Sequence, residues 1–368
     1  MERSNKRRRR NLLSKPVAFF AWVSVLLLWA CALSSFVSPQ HFKYFGLTTL
    51  AFPAFLAFVM VMEIVVLIFS RRWWWIPLLG LLGCAFSIRT YFPINLPSQA
   101  PEGSIKVMSY NVYMYGNKAR NDKGVNIVAD YIVRSKSDIV CLQEAFLTSS
   151  EMYDEVTSYI SRAYPYSDTL NIGENLLTCF SKYPIVGKEH INRVRANGAG
   201  AYLLKMPEGD TLRVVNCHLR SMGLSLSDRA TYRNIVHATE EMEVTDTTSR
   251  RLLSKVASAA AVRAQQVDQI TDYLKLHEGK NIILCGDFND SPLSYAHQSF
   301  RLNGLTDAYT TSGNGLGRTF NKDAIIVRID HILHSDHWTA YGAKVDKEMT
   351  ASDHYPVYTY LKRTKVDE

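Results

Sequence analysis

Asp287 and Asn289 stand two apart at the end of the apolar run NIILCGDF, so in an extended chain both side chains project to one side while Phe288 turns into the core. A carboxylate can hold or deprotonate a water and a carboxamide can donate to an oxyanion, so the pair suits chemistry at a phosphorus atom. Gly286 lets the backbone turn just before them. The same pattern, a polar residue closing an apolar run, recurs at Asn111 after IKVMSY, Glu144 after DIVCLQ, His218 after TLRVVNC and Asp330 in AIIVRID, with Ser352-Asp353-His354 ahead of the last run. A carboxylate or imidazole so placed must be paired, metal-bound or catalytic to offset its desolvation. Glu144 and the Asn111 carboxamide offer the hard oxygens that Mg²⁺ prefers, with waters completing the octahedron. His218 and His354 can each donate to a non-bridging phosphate oxygen, and an imidazole beside Asp330 is kept oriented and charged. Taken singly, each of these residues reads as a cap, an Asx turn or a surface group. The remaining histidines His190, His237, His277, His297, His334 and His337 lack such a setting and are read as surface residues.

The elements that must position these groups follow from hydrophobic period. Between Ile105 and Leu361 short β-rich runs (IKVMSYNVY, DIVCLQEAF, LLTCFSKYPIV, TLRVVNCHL, NIILCGDF, AIIVRIDHIL, HYPVYTYL) alternate with helical stretches. Several are apolar on both faces, as central strands buried between two layers should be. Val256, Ala260, Arg263, Val267, Ile270 and Leu274 fall on one stripe of a helix, and Arg263, which interrupts it, is read as a buried ion pair. The polar stretch Ser221 to Arg251 is expected to be a surface insertion near the site.

Upstream the chain changes character. Residues 1–15 hold seven Lys/Arg and one Glu, or +6 of the total +8, which leaves +2 for the rest of the 368 residues. Such a tail ahead of an apolar run sets membrane orientation and says little about nucleic acid. Three apolar runs, about 16–37, 45–70 and 73–92, are each near the ~20 residues that cross a bilayer core, so a membrane region is expected over 16–93. The length of the first argues against a cleaved signal peptide, despite the small residues Ala32, Ser34 and Ser35. Basic residues at both 3–15 and 71–72 mark the cytoplasmic side, which puts the downstream domain on the periplasmic or extracellular side of an inner membrane. Residues 94–104 read as a linker, and 105–364 as one domain. The six cysteines show no metal-binding spacing and read as small buried hydrophobes.

Taken in order, MSYNVY, CLQEAF, NCHL, CGDFNDSP, RIDHIL and SDHYPV resemble the motif series of the endonuclease/exonuclease/phosphatase superfamily, over about residues 105–362. The resemblance implies an α+β fold, a four-layer α/β/β/α sandwich, here preceded by three transmembrane helices. It implies a metal-dependent hydrolase of phosphoester bonds, with Mg²⁺ or alternatively Mn²⁺ held by Asn111 and Glu144 and Asp353 close by. By the same resemblance Asp287 readies the water, Asn289 and His218 donate to the phosphate, and His354 paired with Asp330 stabilises the transition state. Tyr113 departs from repair endonucleases, which carry a second metal-binding Asp there, and the mid-domain tyrosine and amide of some nucleases are not evident in Glu174-Asn175-Leu176-Leu177-Thr178. Gly317-Arg318-Thr319-Phe320 resembles a structural loop of the family. The expected partners are the lipid bilayer and a phosphoester substrate, a lipid or small molecule ahead of DNA or RNA. The alternatives are an extracytoplasmic nuclease and a non-catalytic binding protein that retains the fold; oligomeric state is not encoded in any of these features.

Overall fold

Apolar runs of period two build the core, because alternate side chains of each strand must be buried on opposite faces of a sheet. The computed structural model describes residues 2–117, 119–223, 228, 246–322 and 327–364. Among the described residues twelve strands form two six-stranded sheets. One sheet has the order β11 (Trp338–Val345), β12 (Val357–Arg363), β1 (Ile105–Asn111), β2 (Ile139–Gln143), β4 (Leu176–Ser181), β3 (Tyr166–Asn171). The other has the order β5 (Ile185–Val194), β6 (Asn197–Lys205), β7 (Thr211–His218), β8 (Ile282–Asp287), β10 (Asp330–His334), β9 (Thr306–Asp307).

The layers can be read residue by residue. Val107, Ile139 and Cys141 of the first sheet meet Val214, Ile283 and Cys285 of the second in the central core. Their strand neighbours Met108, Val140 and Leu142 face outward onto α5 (Ile127–Arg134) and α6 (Ser150–Ser161) through Val128, Ile132, Val156 and Ile160. On the far side Val215 and Leu284 pack on Val267, Ile270 and Leu274 of α7 (Asp246–Leu276) and on Phe300 of α8 (Tyr295–Leu302). This is the expected α/β/β/α sandwich. The stripe on α7 is buried as expected, apart from a half-buried Val256, and all six cysteines are buried free thiols. The polar stretch 221–251 lies largely outside the described residues; its end, from Asp246, is the start of α7.

The N-terminal region departs from expectation at its third run. α1 (Glu2–Ser34) and α2 (Phe52–Phe69) supply two segments long and apolar enough to cross a membrane, Ser14–Ser34 and Phe45–Phe69. The run 73–92 is not one helix: it forms α3 (Trp75–Gly83) and α4 (Ala85–Tyr91), broken at Cys84. Gly80 and Gly83 lie against Val25 and Trp29 of α1, and glycine near a helix end weakens its continuation. α4 then turns onto the sandwich, where the Thr90 carbonyl accepts from Arg328 Nη2 at 3.1 Å and Arg301 stacks over the Phe86 ring at 4.2 Å. Leu293, six residues past Asp287, joins the apolar cluster of Leu28, Cys31, Phe52 and Cys84. The linker is pinned at its start, since the Asn95 amide donates to the Thr310 carbonyl at 3.2 Å and the Asn95 N–H to Asn314 Oδ1 at 2.7 Å.

Candidate active site

Strand register brings the chemistry together. β8 runs between β7 and β10, with Asp287 opposite His218 in the parallel pair and opposite Asp330 in the antiparallel one. Gly286 permits this: its φ is +142°, and a Cβ there would sit 1.9 Å from the Cys217 carbonyl oxygen. In the other sheet β1 and β2 run parallel and end together, Asn111 opposite Gln143, with Glu144 next. Glu144 (φ 52°) and Asn289 (φ 51°) leave their strands in the left-handed region, and Tyr113, Met114, Tyr115, Gly116 and Asn117 form a left-handed turn straight after β1. Such conformations cost about 1–3 kcal/mol per residue and persist where surrounding bonds enforce them, typically at functional sites.

The enforcing bonds converge on one oxygen. Asp287 Oδ2 accepts from Asn111 Nδ2 at 3.1 Å and from Asn289 Nδ2 at 3.1 Å. His218 Nε2 lies 3.6 Å and His354 Nε2 3.7 Å from it. Asp287 Oδ1 accepts the Asn289 N–H at 2.8 Å. Asn111 Nδ2 also reaches Glu144 Oε1 at 3.2 Å, and that oxygen is 3.6 Å from His218 Nε2. His354 Nδ1 is 2.8 Å from Asp330 Oδ2. Ser352 Oγ donates to the Asn111 carbonyl at 2.7 Å and accepts the His354 N–H at 3.2 Å, so the last loop is tied to the end of β1. Asp353 is half-buried, and its charge acts on Glu144, His218 and His354. The site residues picked out in the sequence thus meet in one place. Asn289 directs its amide to the Leu219 carbonyl at 3.0 Å and to Asp287, so in this geometry it clamps the carboxylate.

Burial pushes Asp287 up to about 6, against the pull of His354. Glu144 is also raised by burial, with the Asn111 amide opposing. Burial alone would lower His354, but Asp330 and Asp287 outweigh it and hold the imidazolium to about 10. His218 goes the other way, lowered by burial in spite of Asp287. One histidine is therefore a cation at neutral pH and the other a neutral ring.

Three further features carry the site. Thr319 Oγ1 accepts the N–H groups of Ile329 (2.9 Å) and Asp330 (3.2 Å), and the Phe320 ring meets His354 edge-on at 5.2 Å, so the Gly317–Phe320 loop is structural. Arg263, as expected, is buried and paired, its Nε 2.8 Å from Asp290 Oδ2, just past Asn289. Asn175, which stood out in no pattern, is buried with its Nδ2 3.3 Å from His218 Nδ1.

Two histidines expected at the surface are instead buried, each with a hydrogen-bond partner. His297 Nε2 lies 3.1 Å from Asp307 Oδ2, and the His334 ring is bonded to the Ser335 carbonyl at 2.9 Å. His237 lies outside the described residues. His331, beside Asp330, completes a buried group with His297 and Asp307 whose ligand atoms fall within 4.8 Å of one another. The Asp307 oxygen there already accepts from Thr310, His297 and Arg328, and burial, which would raise this carboxyl, is overcome by the Arg328 guanidinium. A fixed cation thus holds the place a metal ion would need.

Comparison with known proteins adds a family match. Residues 108–354 match the Endonuclease/Exonuclease/phosphatase family, and residues 14–91 match a family described as a domain of unknown function. A curated Arabidopsis thaliana relative, described as an uncharacterized calcium-binding protein, is 24% identical over 202 residues, 52% of this chain, and the chain spans only 37% of its length. Among solved structures, the human nocturnin catalytic domain is 16% identical with a TM-score of 0.48, over 71% of this chain and 94% of that one. A Bacteroides thetaiotaomicron mannosyl-6-phosphatase is 19% identical with a TM-score of 0.46, over 70% and 100%. Sphingomyelinase C from Streptomyces griseocarneus is 19% identical with a TM-score of 0.43, over 70% and 99%.

Proposed function

The chain belongs to the endonuclease/exonuclease/phosphatase family, whose members hydrolyse phosphoester bonds, and from that premise we propose a divalent-metal-dependent phosphodiesterase or phosphatase held at a membrane. The observation that carries this reading is Asp287 Oδ2, with two amides and two imidazoles within 3.7 Å.

The residues present fit a divalent cation. Glu144, Asp287 and Asp330 bring three carboxylates into a buried space against the single imidazolium of His354, and a cation would relieve the upward push on Asp287 and Glu144. Carboxylate and carboxamide oxygens are the donor set of Mg²⁺ or Mn²⁺. Glu144 would hold the ion with Asp353 beside it, joined by Asn111 with its amide turned to present Oδ1, now on the Tyr113 N–H, in place of Nδ2, while His354, bonded through Nδ1 to Asp330, serves as a donor and not a ligand. When bound, such an ion polarises the phosphate and offsets its charge.

The chain's own groups do the rest. Asp287, held by the Asn289 N–H and amide, takes the proton from the attacking water as its oxygen bonds to phosphorus and the bond to the leaving oxygen breaks. Strength near 6 suits a base working at neutral pH. His354 donates from Nε2 to a phosphate oxygen, charged because Asp330 keeps it so. His218, opposite Asp287 on the neighbouring strand, offers a second donor.

A lipid or small phosphoester is favoured as substrate by two features. Outside residues 1–15 the chain carries only +2 of its +8 net charge, and the catalytic loop ends at Leu293 among the helices that would lie in the bilayer. The sandwich touches the end of that bundle formed by Cys31, Phe52 and Cys84, away from Arg71 and Arg72, which supports an extracytoplasmic catalytic domain. The test is the full chain in lipid nanodiscs with Mg²⁺, given phospholipids, bis-p-nitrophenyl phosphate, a phosphomonoester, DNA and RNA in parallel. Metal-dependent hydrolysis is expected, fastest on a lipid. Preference for DNA or RNA would make it a nuclease, and no hydrolysis together with no Mg²⁺ binding by calorimetry would leave a binding protein.

A further inference from the structure

His218 can act on a phosphate oxygen only if the ring nitrogen facing the site, Nε2, carries a hydrogen. In a neutral imidazole that hydrogen sits on either nitrogen, and the partner of the other nitrogen decides which. The partner here is Asn175. Its amide looks reversible, but the Leu176 N–H donates to Asn175 Oδ1 at 2.8 Å, so a flipped amide would set two donors against each other. Oδ1 is therefore fixed on Leu176, and Nδ2 is left to face His218 Nδ1 at 3.3 Å. A donor aimed at Nδ1 excludes a proton there, in the wrong tautomer and in the doubly protonated ring alike.

The far side of the ring agrees. Glu144 Oε1 and Asp287 Oδ2 both lie 3.6 Å from Nε2, close enough to favour a hydrogen on that nitrogen and too far to bind it fully. Asn175 itself is rigidly seated in the β3–β4 hairpin: Asn171 Oδ1 accepts the Gly173 N–H at 2.8 Å, and the Ile172 N–H donates to the Asn175 carbonyl at 3.0 Å. Gly173 has φ +98°, and a Cβ there would meet the Arg195 carbonyl at 2.2 Å, so the hairpin tip packs closely on Arg195.

We propose that Asn175 is a positioning residue that locks His218 in its Nε2–H tautomer and so makes it a directed, neutral hydrogen-bond donor to the substrate phosphate. The proposal rests on the phosphoester-hydrolase reading of the site. The two histidines then divide the work, with His354 supplying charge and His218 supplying direction without adding a second cation beside the metal-binding residues.

The experiment uses the full chain in detergent, labelled with ¹⁵N-histidine, with the His218 signals assigned by their loss in His218→Ala. The expected spectrum without substrate shows Nε2 protonated and Nδ1 bare. Asn175→Asp keeps size and the Leu176 bond but turns the donor into an acceptor, so the proton should appear on Nδ1, and kcat on the best phosphoester should fall about 10- to 100-fold with a much smaller change in KM. In a His218→Ala background the same substitution should have no further effect on kcat. A wild-type ring protonated on Nδ1, or an Asn175→Asp loss that persists undiminished without His218, overturns the proposal. A chain that shows the Nε2–H ring yet hydrolyses no phosphoester sinks the functional reading while the orienting role of Asn175 stands.

Discussion

Asp330→Asn changes almost no volume, but it removes the carboxylate that keeps His354 charged. His354 stands at about 10 because Asp330, 2.8 Å from Nδ1, and Asp287 outweigh a burial that would lower it. Without Asp330 the burial remains, opposed by Asp287 and more weakly by Asp353, so the ring should fall towards its ordinary value of about 6.5 or below. At pH 8 the imidazolium fraction then drops from nearly all to about 3%, and a step that needs the cation slows about 30-fold. The loss should shrink as pH falls towards 6, where the neutralised ring recharges. Rates of Mg²⁺-dependent bis-p-nitrophenyl phosphate hydrolysis should therefore fall off near pH 10 in the wild type, and near or below 6.5 in the variant. The acid limb should lie near 6 in the wild type, where Asp287 takes up its proton. Circular dichroism checks that the variant is folded. Two pH profiles that differ by a constant factor, or equal rates at pH 8, would refute the charge argument. Stability follows the same sign: a histidine raised in the folded state contributes stability that is complete below about 6.5 and lost as pH rises through about 10. The wild type's advantage in Tm over the variant should narrow across that window.

Other outcomes follow from single contacts. Gly286→Ala would put a methyl 1.9 Å from the Cys217 carbonyl, so it should force β7 from β8, cost about 3 kcal/mol in chemical denaturation and separate His218 from Asp287 with loss of activity; a stable, active variant would contradict the register described. Glu144→Gln should weaken Mg²⁺ binding by at least about 10-fold in calorimetry with the fold intact, and unchanged affinity would move the ion elsewhere. Leu293→Ala should cost about 2–5 kcal/mol where the catalytic loop enters the helical region, read as two separated thermal transitions in place of one; a single unshifted transition would show that the two regions are not coupled there.

Polar residues at the ends of apolar runs were legible because burying a charge is costly enough to leave its mark in one stretch of chain: Asn111, Glu144, His218, Asp287, Asp330 and His354 were all visible that way, and all meet at the site. The central strands were legible for the same local reason, an apolar face on either side. Strands β3 and β11 were not, since YSDTLN and WTAYGAKV are half-exposed sheet edges, nor was β6, whose NGAGAYLLK is small and buried. Apolar length alone suggested a third membrane helix, but whether a run stays one helix depends on what it meets, and 73–92 breaks at Cys84 to dock on the sandwich. Composition could not tell His297, buried against Asp307, from His190, exposed at a strand surface, because the difference is a partner supplied by another element. Asn175 is the sharpest case: it lies 43 residues from His218, in a hairpin with no chemical pattern of its own, and only the crossing of the two sheets turns its amide towards that ring. Periodicity and desolvation act within a segment and can be read there, whereas the direction of a hydrogen bond across the core exists only once the chain has folded.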